Sequence, residues 1–174
     1  APWGRFGRCQ IRDLAVGRVD PNTKLGFNRD KETLMKKIFT IGYEGADVEQ
    51  LVETLINLEI KVLADVRELP LSRKKGLSKN GLSERLKTAG IEYRHFKDLG
   101  DPKPGRDAAK SGDFAKFEKV FYEHMTKDIP RTALAELLEV ASAQLTCMMC
   151  FERCASVCHR SIIADEAVNF GFEV

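Results

Sequence analysis

Residues 147–161 read CMMCFERCASVCHRS, and this stretch places a short apolar run directly before a helix. The run over residues 145–150 has the length and the apolar composition of a buried strand. After Cys158, apolar residues recur at helical spacing, and Gly171 follows them as a stop signal. The stretch therefore predicts a strand-to-helix turn, which is where open α/β sheets bind their ligands.

The composition is that of an ordinary globular chain. Its 174 residues are 43% hydrophobic and 31% charged, which fits one domain with a sizeable core. No apolar run approaches the roughly 18 to 20 residues of a membrane span, so no membrane partner is expected. Four of the five cysteines lie within residues 147–158 instead of being spread along the chain. This clustering favours a reduced, cytoplasmic protein with a local thiol site over a disulfide framework.

The net charge of +2 hides a strongly basic segment. Residues 67–87 contain seven lysines and arginines against two glutamates, a local net charge of +5. The segment covers a predicted loop over residues 70–80, and Arg73 lies within it. Such a segment favours an anionic partner, either nucleic acid or a phosphorylated small molecule.

Residues 1–34 show no sustained hydrophobic period, and they are rich in Gly, Arg and Asp. Met35 and two lysines then open directly onto a strand-like run, as a natural translation start would. We interpret residues 1–34 as a poorly ordered N-terminal extension and residues 35–174 as a single α/β domain.

Strands and helices alternate along the rest of the chain. Strands are predicted at 38–42, 61–66, 91–96 and 145–150, and helices at 46–58, 82–89, 114–126, 130–143 and after Cys158. Residues 99–112 contain three glycines and two prolines and predict a loop. Residues 172–174 read as the start of one more strand, which would mean that the chain is cut short. The expected fold is a three-layer αβα sandwich with a mostly parallel central sheet of four to five strands.

Polar side chains gather where the predicted strands end. Because the carboxyl ends of parallel strands meet at one edge of a sheet, we expect these side chains to line one crevice. The residues expected to act in catalysis are Cys158, His95, Asp65 and Glu152. The residues expected to bind a ligand are Arg67, Arg160, His159, Ser161, Tyr43, Tyr93 and Arg73. The structural alternative is that these groups cap helices or pair internally, for example Arg160 with Glu152 or Asp65.

Cys158 lies at the predicted start of the last helix. Free backbone N–H groups, the helix dipole and Arg160 would all favour a thiolate there. We therefore expect Cys158 to be alkylated before the other cysteines, and we expect Cys147, inside the strand, to resist alkylation. The alternative is that Cys158 is a buried packing thiol.

Two other patterns in the cysteine stretch are weaker. Cys154 and Arg160 have the spacing found in cysteine-dependent phosphatases. However, the loop between them has no glycine, and the residue directly before the cysteine is not a histidine. A zinc site would use Cys150, Cys154, Cys158 and His159. The adjacency of Cys158 and His159 makes joint tetrahedral ligation awkward, so no metal and no cofactor are predicted.

Several short motifs resemble a known family. They are IGYEG over residues 41–45, ADVR over 64–67 with Pro70 and SRK over 72–74, GIEYRH over 90–95 with LG over 99–100, and CFE over 150–152 followed by CHR over 158–160. In this order and spacing they resemble the domain of unknown function family numbered 488, from Lys36 to about Phe172. The resemblance implies a compact α/β domain without an established activity. It points to Asp65, Arg67, Tyr93, His95, Glu152, Cys158, His159 and Arg160.

Three functions follow as hypotheses. The first is an enzyme that acts on a phosphate-bearing ligand, a nucleotide or nucleic acid, held by Arg67 and Arg160 while Cys158 or His95 reacts. The second is a non-catalytic module that binds nucleic acid or phosphate through the basic loop, although aromatic residues for base stacking are few there. The third is a thiol-based redox or metal sensor built on the clustered cysteines.

Overall fold

A computed structural model describes residues 36–174 of the chain. The prediction for residues 1–34 lies outside this range. The strands are β1 Lys36–Gly42, β2 Val62–Asp65, β3 Glu92–His95, β4 Thr146–Cys150 and β5 Phe172–Glu173. The helices are α1 Val48–Asn57, α2 Lys79–Thr88, α3 Lys103–Ser111, α4 Phe114–Met125, α5 Asp128–Ala143 and α6 His159–Asn169.

The strands form one parallel sheet in the order β3-β2-β4-β1-β5. β4 lies at the centre and pairs with both β1 and β2, so that Met149 is opposite Ile41 on one side and Asp65 on the other. All five residues of β4 are buried, as expected for a strand covered by helices on both faces. The predicted three-layer α/β fold is confirmed.

The side chains of β4 alternate between two apolar layers. Met148 and Cys150 pack into the layer formed with α4, α5 and α6. Cys147 and Met149 pack into the opposite layer, which is formed with α1 and α2. α1 begins at a reciprocal capping box, in which Asp47 accepts a hydrogen bond from the Gln50 N–H and Gln50 accepts one from the Asp47 N–H.

The prediction of a loop over residues 99–112 is wrong, because most of it forms α3. Pro104 lies in the first turn of α3, where a proline costs no hydrogen bond. Gly112 ends the helix in the left-handed conformation, with φ 79°. Gly105 has a packing role as well, since a Cβ there would lie 2.1 Å from the Asp101 carboxylate. In this segment, a proline therefore begins the helix, one glycine ends it, and the other allows close packing against Asp101.

β4 does not run directly into α6. A short 3₁₀ turn, Ala155–Val157, intervenes, and Cys158 has extended backbone angles at the N-cap of α6. Over residues 36–174, no helix is both long enough and apolar enough to cross a membrane.

Gly42 brings the end of β1 against the turn that follows β4, because a Cβ at this position would lie 1.8 Å from the Glu152 carbonyl oxygen. We expect Gly42→Ala to lower the free energy of unfolding by about 2 to 3 kcal/mol, since the backbone contact cannot relax without moving the turn. Urea unfolding measures the effect. Gly81→Ala is the control, because its Cβ would meet nothing closer than 3.3 Å and alanine favours a helix. Equal stability of the two variants would contradict the close approach.

Candidate functional site

The expected site residues separate into two clusters. The Asp65 cluster contains Tyr43, Asp65, Arg67 and Tyr93. The Cys158 cluster contains Cys150, Glu152, Cys158, His159 and Arg160. Tyr43 and Tyr93 pack with the α1–α2 layer, whereas Cys150 and Cys158 belong to the α4–α6 layer. The side chains therefore do not line the single crevice that the strand ends predicted.

The Asp65 cluster is a buried, internally bonded ion pair. Arg67 donates to both carboxylate oxygens of Asp65, at 2.8 Å from Nε and 2.5 Å from Nη2. Its Nη1 donates to the Tyr43 hydroxyl and to the Leu77 carbonyl oxygen. Tyr93 donates its hydroxyl to the same carboxylate at 2.6 Å. The hydrogen-bonding groups of Arg67 are thus directed at the protein itself.

Electrostatics support the structural character of this cluster. Burial acts to lower the pKa of Arg67, but the hydrogen bond and the charge of Asp65 outweigh it and raise the pKa. Burial and the adjacent Asp65 charge raise the pKa of Tyr93. Both groups therefore keep their protons at physiological pH, and neither is suited to proton transfer.

The Cys158 cluster brings two thiols, an imidazole and a guanidinium together. The sulfur atoms of Cys150 and Cys158 and a ring nitrogen of His159 all lie within 4.8 Å of one another. Arg160 Nε donates to Cys158 Sγ at 3.5 Å, and His159 Nδ1 lies 3.8 Å from the same sulfur. Cys150 donates to a Glu152 carboxylate oxygen at 3.2 Å. This is the densest group of chemically reactive side chains in the described part of the chain.

Arg160 is only 1% exposed, and its charge has no carboxylate partner among residues 36–174. The ion pair with Glu152 or Asp65, which was the structural alternative to ligand binding, is not formed. Arg160 instead donates to the backbone carbonyl oxygen of Glu152 at 2.5 Å, and Arg67 occupies Asp65. Because a buried cation needs compensation, the contact with Cys158 Sγ favours negative charge on that sulfur.

The two thiols of the cluster have opposite pKa shifts. Burial alone would raise the pKa of Cys158, but hydrogen bonds with Cys150 and His159 and the charges of His159 and Arg160 lower it overall. The interaction with Cys158, followed by burial, raises the pKa of Cys150. Burial acts to lower the pKa of His159, but the bond to Cys158 raises it. These contacts favour the proton on Cys150 and negative charge on Cys158.

Two histidines hold the end of β2 from opposite directions. His159 Nε2 is 2.8 Å from the Val66 carbonyl oxygen, and His95 Nε2 is 2.8 Å from the Arg67 carbonyl oxygen. Since a carbonyl only accepts, each Nε2 carries the proton. His159 therefore presents an unprotonated Nδ1 to Cys158 in its neutral form, and the backbone from Val66 to Arg67 links the two clusters.

Asp101 belongs to the site but was not predicted from the sequence. It follows a 3₁₀ turn, Lys97–Leu99, and is 6% exposed. Its Oδ1 has no hydrogen-bond partner among the described residues. Burial raises its pKa to about 7; the charge of His159 acts to lower it, and the charges of Cys158 and Glu152 raise it. The only signal in the sequence was its position within a segment assigned to a loop.

The remaining predicted residues lie outside these contacts. Ser161 donates to the Cys158 carbonyl oxygen at 2.9 Å, within the first turn of α6. Arg73 is exposed on the loop after β2. Cys158 is only 2% exposed, so the prediction that it is the most readily alkylated thiol does not hold on access alone. Cys154, which is half-buried, is the more accessible thiol.

The contacts of Cys158 bear on both the metal pattern and the phosphatase pattern. Adjacency was expected to make joint ligation by Cys158 and His159 awkward, yet their donor atoms lie 3.8 Å apart and in one group with Cys150. Arg160 Nε donates to Cys158 Sγ, and the Cys154 sulfur lies 3.0 Å from the Ser156 hydroxyl. The arginine of the phosphatase pattern is therefore engaged with Cys158.

Comparison with known proteins gives one match. The family described as Domain of unknown function DUF488 matches residues 47–167. The chain belongs to this family. Searches of curated proteins and of solved structures found no significant match. The matched range contains every residue of the Cys158 cluster, whereas Tyr43 of the Asp65 cluster precedes it. Membership supports the fold and leaves the activity to be argued from the site.

Asp101 provides a test of the charges in the site. With a pKa of about 7, its carboxyl binds a proton in the folded state at pH values where the unfolded chain has already lost it. Stability should therefore fall as the pH rises from about 4 through 7. We expect Asp101→Asn to gain about 1 to 2 kcal/mol relative to the wild type between pH 5 and pH 8, allowing for solvent screening. Urea unfolding across this range measures the difference.

The matched control is Asp98→Asn, because Asp98 is an exposed carboxylate on the adjacent 3₁₀ turn. The groups that interact with Asp101 are His159, Cys158 and Glu152. Parallel pH profiles for the wild type and Asp101→Asn would show that the buried carboxyl does not titrate in this window.

Proposed function

We propose that this domain is a thiol-based redox module in which Cys150 and Cys158 interconvert between two thiols and one disulfide. The observation that carries the proposal is the position of two free thiols within 4.8 Å of each other. A disulfide requires the sulfurs to approach to about 2.05 Å. The Cys158 side must therefore move toward β4 by no more than about 3 Å.

The contacts assign different roles to the two sulfurs. Cys158 accepts a hydrogen bond from the buried Arg160, which favours the thiolate, and the thiolate is the nucleophile. Cys150 donates a hydrogen bond to the Glu152 carboxylate at 3.2 Å, so a base that can deprotonate this second thiol is already in contact with it. Cys158 is therefore the attacking sulfur, and Cys150 is the sulfur that resolves the intermediate.

The oxidant is a peroxide. The Cys158 thiolate attacks one peroxide oxygen, the O–O bond breaks, and Cys158 becomes a sulfenic acid as the other oxygen leaves as hydroxide, which takes up a proton from solvent to give water. Cys150 then attacks the sulfenic sulfur, which releases a second water and forms the disulfide. In total, one peroxide is reduced by two electrons while two thiols are oxidised. Burial of both sulfurs favours a small oxidant over a protein disulfide.

A phosphate-bearing ligand is the second candidate, and the basic loop favours it. Arg67 and Arg160 are buried and bonded internally, so this hypothesis now depends on exposed residues such as Arg73 and Lys75. A surface cleft of about 1030 Å³ between α1 and α2 is lined by three basic and three acidic residues, and Arg85 is paired there with Glu49. Lys74 and Lys75 are the cations of this cleft that come from the basic loop.

The redox proposal predicts a specific product. Reduced protein treated with hydrogen peroxide in the presence of a chelator should lose the mass of two hydrogen atoms. Peptide mapping without reductant should then show a Cys150–Cys158 cross-link. We expect Cys150→Ser to stop at a sulfenic acid on Cys158, which dimedone traps, because the resolving thiol is missing.

Cys154→Ser is the matched control, since Cys154 is half-buried, lies in the same turn and is outside the three-atom group. This variant should form the cross-link in the same yield as the wild type. A disulfide that contains Cys154, or a wild type that forms no cross-link while still folded, would rule out the pair.

The phosphate hypothesis predicts a salt-dependent interaction. Single-stranded RNA and DNA oligomers should bind with an affinity that falls steeply with salt concentration. We expect the double substitution Arg73→Ser, Lys75→Ser to reduce the salt slope by about 0.7 for each lost phosphate contact. The double substitution Lys110→Ser, Lys116→Ser, on the exposed surfaces of α3 and α4, is the control, because it removes the same number of positive charges. Equal slopes for the two variants, or no binding at low salt, would remove the basic loop as a nucleic-acid site.

A further inference from the structure

We propose that Cys150, Cys158 and His159 bind a thiophilic divalent transition-metal ion of the zinc class. The site uses the two sulfurs of the proposed function, but it does not depend on their oxidation. Cys154 and Asp65 take no part in it.

The donor atoms have nearly the spacing that such an ion requires. With Zn–S bonds of about 2.3 Å, two sulfur ligands of a tetrahedral zinc lie about 3.8 Å apart, and a sulfur and a nitrogen ligand lie about 3.6 Å apart. Cys158 Sγ and His159 Nδ1 are separated by 3.8 Å, and all three donors lie within 4.8 Å of one another. Ligation therefore requires a contraction of about 1 Å at most.

His159 is oriented as metal-binding histidines are. Its Nε2 donates to the Val66 carbonyl oxygen at 2.8 Å, which leaves the lone pair of Nδ1 directed toward the sulfurs. An outer hydrogen bond of this kind fixes both the tautomer and the ring position of a histidine ligand. The Phe121 ring packs against the imidazole with a centroid distance of 5.1 Å, so the ring is held before any ion arrives.

The surroundings suit a complex of two thiolates with a divalent cation. The two thiolates would neutralise the ion, and the N–H of Arg160 already points at Cys158 Sγ as an outer-shell donor. The Glu152 carboxylate lies 3.2 Å from Cys150 Sγ but outside the group of three donors, so water would fill the fourth position. Thiolate and imidazole ligands select zinc-class ions over magnesium or calcium.

The experiment uses the full chain, reduced and metal-free, under anaerobic conditions. Cobalt(II) serves as the spectroscopic probe and zinc as the competitor. We expect one cobalt per chain, with the intense near-ultraviolet absorption of cobalt–thiolate bonds, and displacement of the cobalt by zinc. Cys150→Ser and Cys158→Ser should each weaken zinc binding at least about 100-fold, since loss of even an outer-shell partner costs about 10- to 100-fold.

Cys154→Ser is again the matched control and should bind zinc as the wild type does. A second measurement needs no variant. Zinc should protect Cys150 and Cys158 of the wild type from a small alkylating reagent and leave Cys154 reactive. Absence of thiolate absorption, equal loss of affinity in Cys154→Ser, or protection that includes Cys154 would overturn the proposal.

The metal and redox proposals fail separately. Zinc binding is measured without oxidant, and disulfide formation is measured with a chelator present. A chain that binds zinc but forms no Cys150–Cys158 disulfide retains the metal site and loses the redox function. A chain that forms the disulfide but shows no cobalt–thiolate absorption retains the redox function and loses the metal site.

Discussion

A buried guanidinium that has no carboxylate partner in the described part of the chain sets the charge balance at the end of the central strand. Arg160 is almost completely buried at the start of α6, and its hydrogen bonds run to the Cys158 sulfur and the Glu152 backbone. An unpaired buried cation is costly, so the fold is most stable when negative charge resides on the sulfur. The same contact fixes the turn after β4, which Gly42 approaches from β1. Charge balance and turn geometry are therefore one constraint.

The alternation of side chains along the strands explains why the site residues form two clusters. Asp65 is paired with Met149 of β4, and Cys150 follows one position later, so the two polar groups point to opposite faces of the sheet. The end of β2 connects the faces through its backbone. His159 bonds to the Val66 carbonyl and His95 to the Arg67 carbonyl, which holds the two consecutive peptides. These two hydrogen bonds fix the position of the Cys158 cluster relative to the end of β2.

Much of the fold could be predicted because it depends on local periodicity. The order of strands and helices and the parallel sheet followed from apolar runs separated by amphipathic stretches. The helix α3 was missed because glycine and proline were read as loop residues. Pro104 occupies the first helical turn, and Gly105 is small because the Asp101 carboxylate occupies the adjacent space. The contact between Gly105 and the Asp101 carboxylate depends on the path of the backbone, which the sequence pattern does not indicate.

The position of the candidate residues near the ends of the strands could be predicted better than their arrangement. Strand-end convergence identified Asp65, Arg67, Cys158 and Arg160 as a group, and the structure places each of them at the carboxyl edge of the sheet. Their partners depend on side-chain direction. Applying the period of two to β2 and β4 would have separated the faces. The burial of Cys158 could not be deduced in this way, because the 3₁₀ turn before α6 sets its depth.

Depth also decides which reactions suit the Cys158 cluster. Its two thiols are 5% and 2% exposed, and Arg160 is 1% exposed. A large ligand could reach the guanidinium only if the hydrogen bond to the Glu152 carbonyl oxygen were broken. A peroxide molecule or a bare metal ion needs only a small and brief opening of the turn over residues 151–157. A nucleotide phosphate would need Arg160 to exchange both of its contacts and leave the core. The hypothesis of phosphate binding therefore concerns the exposed basic loop after β2, and the proposed thiol chemistry concerns the end of β4.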